Sequence, residues 1–297
     1  MGGENYAHLV FQTSVLYTNP MKTEDYSGSD AFQVEKRSMF STEWLPLCAE
    51  SQLAKPGDFV SASVGGWSVF GVRDTEGTVR VLRNACRHQN MPVVGTPSGN
   101  CESFRCRFHG WTYDLKGQFL SAPPPVAPKD PGSPDLHLAS LKTVLVDGLA
   151  FFSLGTPAVA APDVGGPFPT YGGTLTTEIA CNWKVCVEHL LAEHSLAGKE
   201  PSPEFAWHWP LLTIRRAGAV VIVEQVVPHT FLRTRLLTHV FGAAADDHRQ
   251  AAATIAHVCE RLQADRAAGT LATDAGTLTA DFHRRLAEVY ALGGAAG

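Results

Sequence analysis

Residues 86–117 read CRHQNMPVVGTPSGNCESFRCRFHGWTYDLKG, and this stretch decides the fold of the first half of the chain. It contains two short units, Cys86-x-His88 and Cys106-x-x-His109, with 17 residues between His88 and Cys106. Each unit offers one thiolate and one imidazole from a tight loop. Short apolar runs alternate with turn residues on both sides, so we expect the two loops to project from a small antiparallel β structure.

Two such loops brought together provide two sulfur and two nitrogen ligands. That set suits a [2Fe–2S] cluster in which two histidines replace two cysteines on one iron. Neutral histidines leave less negative charge on the cluster, so we expect its reduction potential to lie above that of an all-cysteine ferredoxin. Zinc also accepts two cysteines and two histidines, but the single residue between Cys86 and His88 is too tight for the usual spacing of zinc ligands.

The stretch from Cys86 to Gly117 resembles the Rieske family, and within it the oxygenase branch. The oxygenase type has His-Gly-Trp-x-Tyr after its second unit, as this chain has from His109 to Tyr113. The respiratory type carries an extra cysteine in each cluster loop, and those two cysteines form a disulfide. The corresponding loop residues of this chain include no cysteine. The resemblance therefore implies the terminal oxygenase (alpha) component of a Rieske non-heme iron system.

Composition narrows the class of protein further. The chain has 297 residues with 24 basic and 29 acidic side chains, a net charge of −5 with no long basic run, which argues against a nucleic-acid binder. No apolar stretch approaches the roughly 18 residues of a membrane span, and the first residues do not resemble a signal peptide, so we expect a cytoplasmic protein. Cysteines seldom pair in that compartment. Apart from the two cluster ligands, we expect the cysteines to be small buried hydrophobes: Cys48, Cys101, Cys181, Cys186 and Cys259.

The pattern along the chain predicts an α+β protein in three parts. Residues 1–44 are polar and are expected to form an N-terminal arm that packs on the catalytic domain. Residues 45–155 are expected to form the all-β Rieske [2Fe–2S] domain, which includes a surface loop rich in proline at 122–134. A Pro/Gly cluster at 155–173 marks the boundary. Residues 165–297 combine strands with long helices, and the resemblance implies that they form a helix-grip (START-like) catalytic domain.

The resemblance also implies a mononuclear Fe(II) in this C-terminal half. Two histidines and a carboxylate would hold it and would leave open positions for dioxygen and substrate. The family's landmark begins Asn-Trp-Lys and continues with a Glu, which stand here at 182–184 and at Glu188. Beyond Glu188 the chain departs from the landmark, and His189 and His194 are the pair with the His-x-x-x-x-His spacing. We predict this pair as ligands; other alignments place Lys199, or Ser195 and Glu200, at the histidine positions.

The remaining site residues are expected from the same resemblance. Asp281 is the predicted carboxylate ligand, although an acidic residue there could equally be a charge at the N-terminus of a helix. Positions five apart on a straight helix diverge by roughly 140°, so His189 and His194 can bind one ion only if their helix bends or ends between them. Otherwise His194 is a core residue and His189 pairs with Glu193. In the family a carboxylate on this helix contacts a cluster histidine of the neighbouring subunit, which predicts a bridging role for Glu193.

These observations predict an oxygenase component that takes electrons originating from NAD(P)H. The chain has no dinucleotide fingerprint, so a separate reductase or ferredoxin would deliver them. Dioxygen would be activated at the Fe(II), and a small organic substrate would be hydroxylated, demethylated or N-oxygenated. The resemblance also implies a homotrimer, because in the family electrons pass between neighbouring subunits. The alternative is a Rieske electron carrier or non-catalytic partner with a degenerate iron site, which the short C-terminal half favours. His208, in an aromatic motif, is expected to line the pocket.

Overall fold

The computed structural model describes residues 20–157, 159–194, 204–270 and 276–294. Its first half is mainly strands, whose bounds are β1 (Leu45–Ala49), β2 (Asp58–Val64), β3 (Trp67–Arg73), β4 (Val79–Arg83), β5 (Ser98–Asn100), β6 (Phe104–Arg105), β7 (Thr112–Tyr113), β8 (Phe119–Ser121), β9 (Ser140–Val146) and β10 (Leu149–Ser153). Two short helices precede them, α1 (Thr23–Ser27) and α2 (Ser29–Ser38). The second half contains β11 (Tyr171–Ile179), α3 (Trp183–His194), β12 (Phe205–His208), β13 (Leu212–Ala217), β14 (Val220–Thr230), β15 (Arg233–Phe241), α4 (Arg249–Ala267) and α5 (Thr277–Gly294).

The first half consists of two antiparallel sheets. Seven strands lie in the order β1-β10-β9-β4-β3-β2-β5, and a three-stranded sheet, β6-β7-β8, carries the second Cys–His unit. The turn between β3 and β4 shows why the strands end where they do. The buried carboxylate of Asp74 accepts hydrogen bonds from the backbone N–H groups of Glu76 and Thr78, both at 2.9 Å. Gly77 in that turn has φ +83, a conformation that glycine adopts without strain.

The second half is a five-stranded antiparallel sheet in the order β11-β15-β14-β13-β12, with α3 and α4 packed on it. The combination of strands and long helices predicted for this half is confirmed. Asn182 begins α3, because its side-chain oxygen accepts the backbone N–H of Lys184 at 3.0 Å. Residues 195–197, over which the sequence pattern predicts that this helix continues, lie outside the described residues. No helix among the described residues is long and apolar enough to span a membrane.

The two halves share a hydrophobic core. One cluster of buried side chains joins Leu47 and Val60 of the first half to Trp183 and Val226 of the second. Gln225 adds a polar link, since its Nε2 donates to the backbone oxygen of Pro46 at 2.8 Å. The first described residues form two helices where at most one was expected, and these pack on the C-terminal helices, α1 against α4 and α2 against α5.

Candidate functional site

The two Cys–His units form loops of matching geometry. In the first loop the backbone N–H of Cys86 donates to the oxygen of Met91 at 2.8 Å, and the oxygen of Cys86 accepts from Asn90 at 2.7 Å. In the second loop the N–H of Cys106 donates to Trp111 and its oxygen accepts from Gly110, at 2.8 and 2.9 Å. Asn90 (φ +56) and Gly110 (φ +72) occupy the same place with a left-handed backbone. Glycine and asparagine are the residues that tolerate this conformation best.

These loops bring the four predicted ligands together. Cys86 and Cys106 are 1% and 2% exposed, and both belong to one cluster of buried side chains. The imidazole rings of His88 and His109 lie edge to face with centroids 4.6 Å apart. Trp111 stacks on His88 at 5.2 Å and fixes the orientation of that ring. The buried Nδ1 of His88 has no hydrogen-bond partner in the part of the chain that the structure describes, which leaves it available to a metal.

Two further residues support the loops, and the sequence alone did not assign either role. Asn84 is 5% exposed, and its Oδ1 accepts the backbone N–H groups of Val93 and Val94 at 2.8 and 2.9 Å, which closes the first loop. The fully buried Tyr113 has its hydroxyl 3.1 Å from the sulfur of Cys86. Burial raises the pKa of the Cys86 thiol, so the thiolate needs compensation from donors or from a metal. A bound cluster and the Tyr113 hydroxyl would both supply it.

The donor set fits a [2Fe–2S] cluster. Two irons divide the four side chains, two cysteines on one iron and two histidines on the other. Arg107 and Phe108 stand exposed at the tip of the second loop, so the cluster would lie close to the surface. Of the other cysteines, Cys101 is half-buried, and the remaining ones are buried and unpaired.

The predicted ligands on α3 lie on different sides of that helix. His189 Nε2 is 3.5 Å from a carboxylate oxygen of Glu193, whose side chain is 48% exposed. His194, the last residue of α3, stacks on Phe205 with centroids 4.2 Å apart. Burial lowers the pKa of His194, and so does the nearby charge of Arg215. The helix continues through both histidines, so the bend that a shared ion requires is not present between them.

Asp281 lies one turn inside α5, and its carboxylate is engaged by two arginines. One oxygen accepts from Arg284 Nε at 3.1 Å, and the other from Arg285 Nε at 2.9 Å. Burial alone would raise the pKa of Asp281, but the hydrogen bonds from both arginines outweigh it and hold this pKa below its usual range. His189, His194 and Asp281 do not form a three-ligand group in the structure. Their assignment to one iron stays a prediction.

Two buried carboxylates organise the helices around this region. Glu188 interacts with His283 at 2.7 Å, with Arg266 at 3.0 Å and with the hydroxyl of Tyr26. Burial opposes its charge, but these partners lower the pKa of Glu188 below its usual range. Sequence reasoning did not identify His283, because its contact with Glu188 joins residues 95 positions apart.

The second carboxylate is Glu35 of α2, which is fully buried. It accepts hydrogen bonds from Trp183 Nε1 at 2.7 Å and Tyr290 Oη at 2.6 Å, and it pairs with the ammonium of Lys184. Two residues of the Asn-Trp-Lys landmark therefore anchor the N-terminal arm. No pattern in the sequence marks Glu35, since it lies about 150 positions from these partners.

Comparison with known proteins places the first half in a family. Residues 43–143 match the Rieske [2Fe-2S] domain. The chlorobenzene dioxygenase subunit alpha of Cupriavidus sp. (strain PS12) is 37% identical over 98 residues, which are 33% of this chain and 22% of that protein. The biphenyl 2,3-dioxygenase subunit alpha of Rhodococcus jostii (strain RHA1) is 37% identical over 98 residues, 33% of this chain and 21% of that protein. The match thus spans about a fifth of the length of these curated relatives.

Solved structures extend the likeness to the whole fold. The apo form of the quaternary ammonium Rieske monooxygenase CntA superposes with a TM-score of 0.75 at 19% identity, over 91% of this chain and 94% of that one. Naphthalene 1,2-dioxygenase with indole bound gives a TM-score of 0.57 at 16% identity, over 92% and 80%. The chain therefore carries a Rieske [2Fe–2S] domain, and its α+β fold is that of the Rieske oxygenases. Over those 98 residues, the resemblance to dioxygenase alpha subunits is confirmed.

Proposed function

We propose that the chain is the cluster-bearing oxygenase component of a Rieske system. The observation that carries this proposal is the pair of matching loops that sets Cys86, His88, Cys106 and His109 around one space. When bound there, a [2Fe–2S] cluster supplies one-electron transfer. The fold shared with CntA supports the same function for the chain as a whole.

The chain's own residues would bury the sulfur side of the cluster and leave its histidine side near the surface. Tyr113 and the buried side chains around it, among them Phe70, Phe104 and Trp111, would exclude water from Cys86 and Cys106. His88 and His109 remain partly exposed. Electrons from NAD(P)H would enter through a separate reductase or ferredoxin. The oxygen chemistry needs a mononuclear Fe(II), for which the described residues provide no three-ligand group, so no step of it is assigned to this chain's side chains.

The substrate would be a small organic molecule that is hydroxylated, demethylated or N-oxygenated. The relatives are named for chlorobenzene and biphenyl, and CntA for quaternary ammonium compounds. Trp207 and Trp209 lie edge to face with their ring centroids 6.0 Å apart, and both pack against Phe282 of α5, so they would offer aromatic contacts to such compounds. The resemblance further predicts a homotrimer in which Glu193 bridges to a neighbour's cluster; Glu193 is exposed, as that role would require.

The test of this proposal is a matched pair of cysteine variants. Anaerobic reconstitution with iron and sulfide should give the wild-type chain a brown colour and, after reduction, the electron paramagnetic resonance signal of a [2Fe–2S] cluster. Cys106→Ser should abolish both signals, whereas Cys101→Ser, which alters a half-buried cysteine outside the ligand set, should retain them. A wild-type chain that takes up no sulfide, or a Cys106→Ser variant with an unchanged spectrum, would overturn the proposal.

A second candidate function is a Rieske electron carrier or non-catalytic partner. The observation that favours it is the engagement of both Asp281 oxygens by arginines, since a carboxylate so occupied is a poor iron ligand. Both candidates share the cluster. They differ in whether the oxygen-activating iron is held by this chain or by another.

A further inference from the structure

We infer that this chain does not itself hold the oxygen-activating iron, and that Asp281 instead tethers Arg285 against a pair of tryptophans. The inference rests on the cluster of the proposed function, and it favours the second of the two candidates, the electron carrier or non-catalytic partner, as the role of this chain. The arguments come from the histidines, from the carboxylate and from the aromatic surface beside it.

The two histidines with the right spacing cannot meet on one ion. Both belong to α3, whose helical geometry separates positions five apart by about 140° around the axis and about 7.5 Å along it. His194 is stacked on Phe205, and His189 is turned toward Glu193. Moving the His194 ring to the side of His189 would require α3 to unwind at its last turn and lose the Phe205 contact.

No other histidine of the described C-terminal half, His229, His248 and His257 included, lies in a group of three side chains that could hold a metal ion. The two ring nitrogens of His239 are both within hydrogen-bond distance of partners, Thr174 at 2.6 Å and Gln225 at 3.1 Å. His283 binds the buried Glu188, whose charge Arg266 also compensates. His208 has an unpartnered Nε2 among the described residues, but no two further donors of those residues converge with it. The internal stretches outside the described residues, at 158, 195–203 and 271–275, contain no histidine in the sequence.

The carboxylate expected from α5 already has cationic partners. The guanidinium groups of Arg284 and Arg285 bind its two oxygens. A dication at Asp281 would have to displace both groups or lie beside two positive charges, and Coulomb repulsion disfavours the second arrangement. Asp281 is thus built into an ion-pair network, which continues to Glu288 through Arg284.

Arg285, which Asp281 binds, also contacts two tryptophan rings. Arg285 lies over the rings of Trp207 and Trp209, with its guanidinium carbon 5.7 and 5.6 Å from their centroids. Cation–π attraction of this kind strengthens as water is removed. Asp281 therefore holds an internal cation against the two tryptophan rings.

The first test counts metal in the whole chain after anaerobic reconstitution with excess Fe(II) and sulfide. We expect equal amounts of iron and acid-labile sulfide, and no high-spin ferrous–nitrosyl resonance after exposure to nitric oxide. A ratio of about three irons to two sulfides, together with that resonance, would overturn the inference. In that case Asp281→Asn should remove the third iron. A chain without sulfide would instead contradict the proposed function, so the two failures are distinguishable.

The second test examines the tether by tryptophan emission. Asp281→Asn should change the emission as Arg285→Met does, because both variants release the guanidinium from Trp207 and Trp209. Glu288→Gln, which alters a carboxylate that pairs with Arg284 alone, is the control and should leave the emission unchanged. Emission that responds to Arg285→Met but not to Asp281→Asn would refute the tethering role.

Discussion

Replacing Lys184 by methionine should destabilise the C-terminal half severely while leaving the cluster site intact. The ammonium of Lys184 and the carboxylate of Glu35 form an ion pair in which both side chains are 0% exposed. Methionine retains the apolar stem but removes the charge. Glu35 would keep Trp183 and Tyr290 as hydrogen-bond donors but would lose its only cationic partner among the contacts described here.

The expected loss is about 3–5 kcal/mol, the usual cost of leaving a buried charge without its partner. For a urea dependence of about 2 kcal/mol per molar, the unfolding midpoint should fall by about 1.5–2.5 M. Far-UV circular dichroism would follow the helices, and visible absorption would follow the cluster separately. The [2Fe–2S] cluster should survive at low urea, because Cys86 and Cys106 belong to a group of buried side chains separate from the one that contains Trp183.

Two comparisons make the reasoning refutable. The double variant Glu35→Gln/Lys184→Met should recover most of the lost stability, since it removes both charges together. Lys116→Met breaks an exposed ion pair with Glu76 and should cost less than about 1 kcal/mol. The argument from buried charge would be refuted if Lys184→Met lowered the free energy of unfolding no more than Lys116→Met does. It would also be refuted if the double variant were no more stable than Lys184→Met.

Three further predictions concern pH, potential and loop closure. Burial lowers the pKa of His239 to about 4. The neutral imidazole therefore contributes fully to the free energy of unfolding above pH 6.5, and this contribution falls by about 3 kcal/mol as the pH drops through 4. The stability difference between wild type and His239→Gln should shrink by a similar amount between urea titrations at pH 7 and at pH 4. Tyr113→Phe removes the donor to Cys86 and should lower the cluster potential by about 40–60 mV in a redox titration; an unchanged potential would contradict this. Asn84→Ala leaves two buried N–H groups unpaired and should speed the loss of cluster absorbance to a chelator, whereas the exposed Asn100→Ala should not.

The cluster loops could be predicted from sequence because every interaction that shapes them is local. The bonds from Cys86 to Asn90 and from Cys106 to Gly110 span four residues, so the spacing of the ligands and the glycine are visible in one short stretch. The strands around them follow from turn residues in the same way. By contrast, the site on α3 and α5 depends on how two helices about 90 residues apart pack together. Local spacing carries no information about that distance, although it does place Arg284 and Arg285 three and four residues after Asp281, the spacing of ion pairs along a helix.

The Asn-Trp-Lys landmark shows why a sequence resemblance can predict the fold and still leave the chemistry open. It was expected to mark an iron-binding helix. In the structure Asn182 begins α3 with its side-chain hydrogen bond, and Trp183 and Lys184 both bind Glu35 of the N-terminal arm. Each of these interactions is needed to build the helix layer, and none needs a metal. The landmark can therefore be complete in a chain whose α3 presents His189 and His194 to different neighbours, so its presence supports the helix-grip fold and is neutral about the iron.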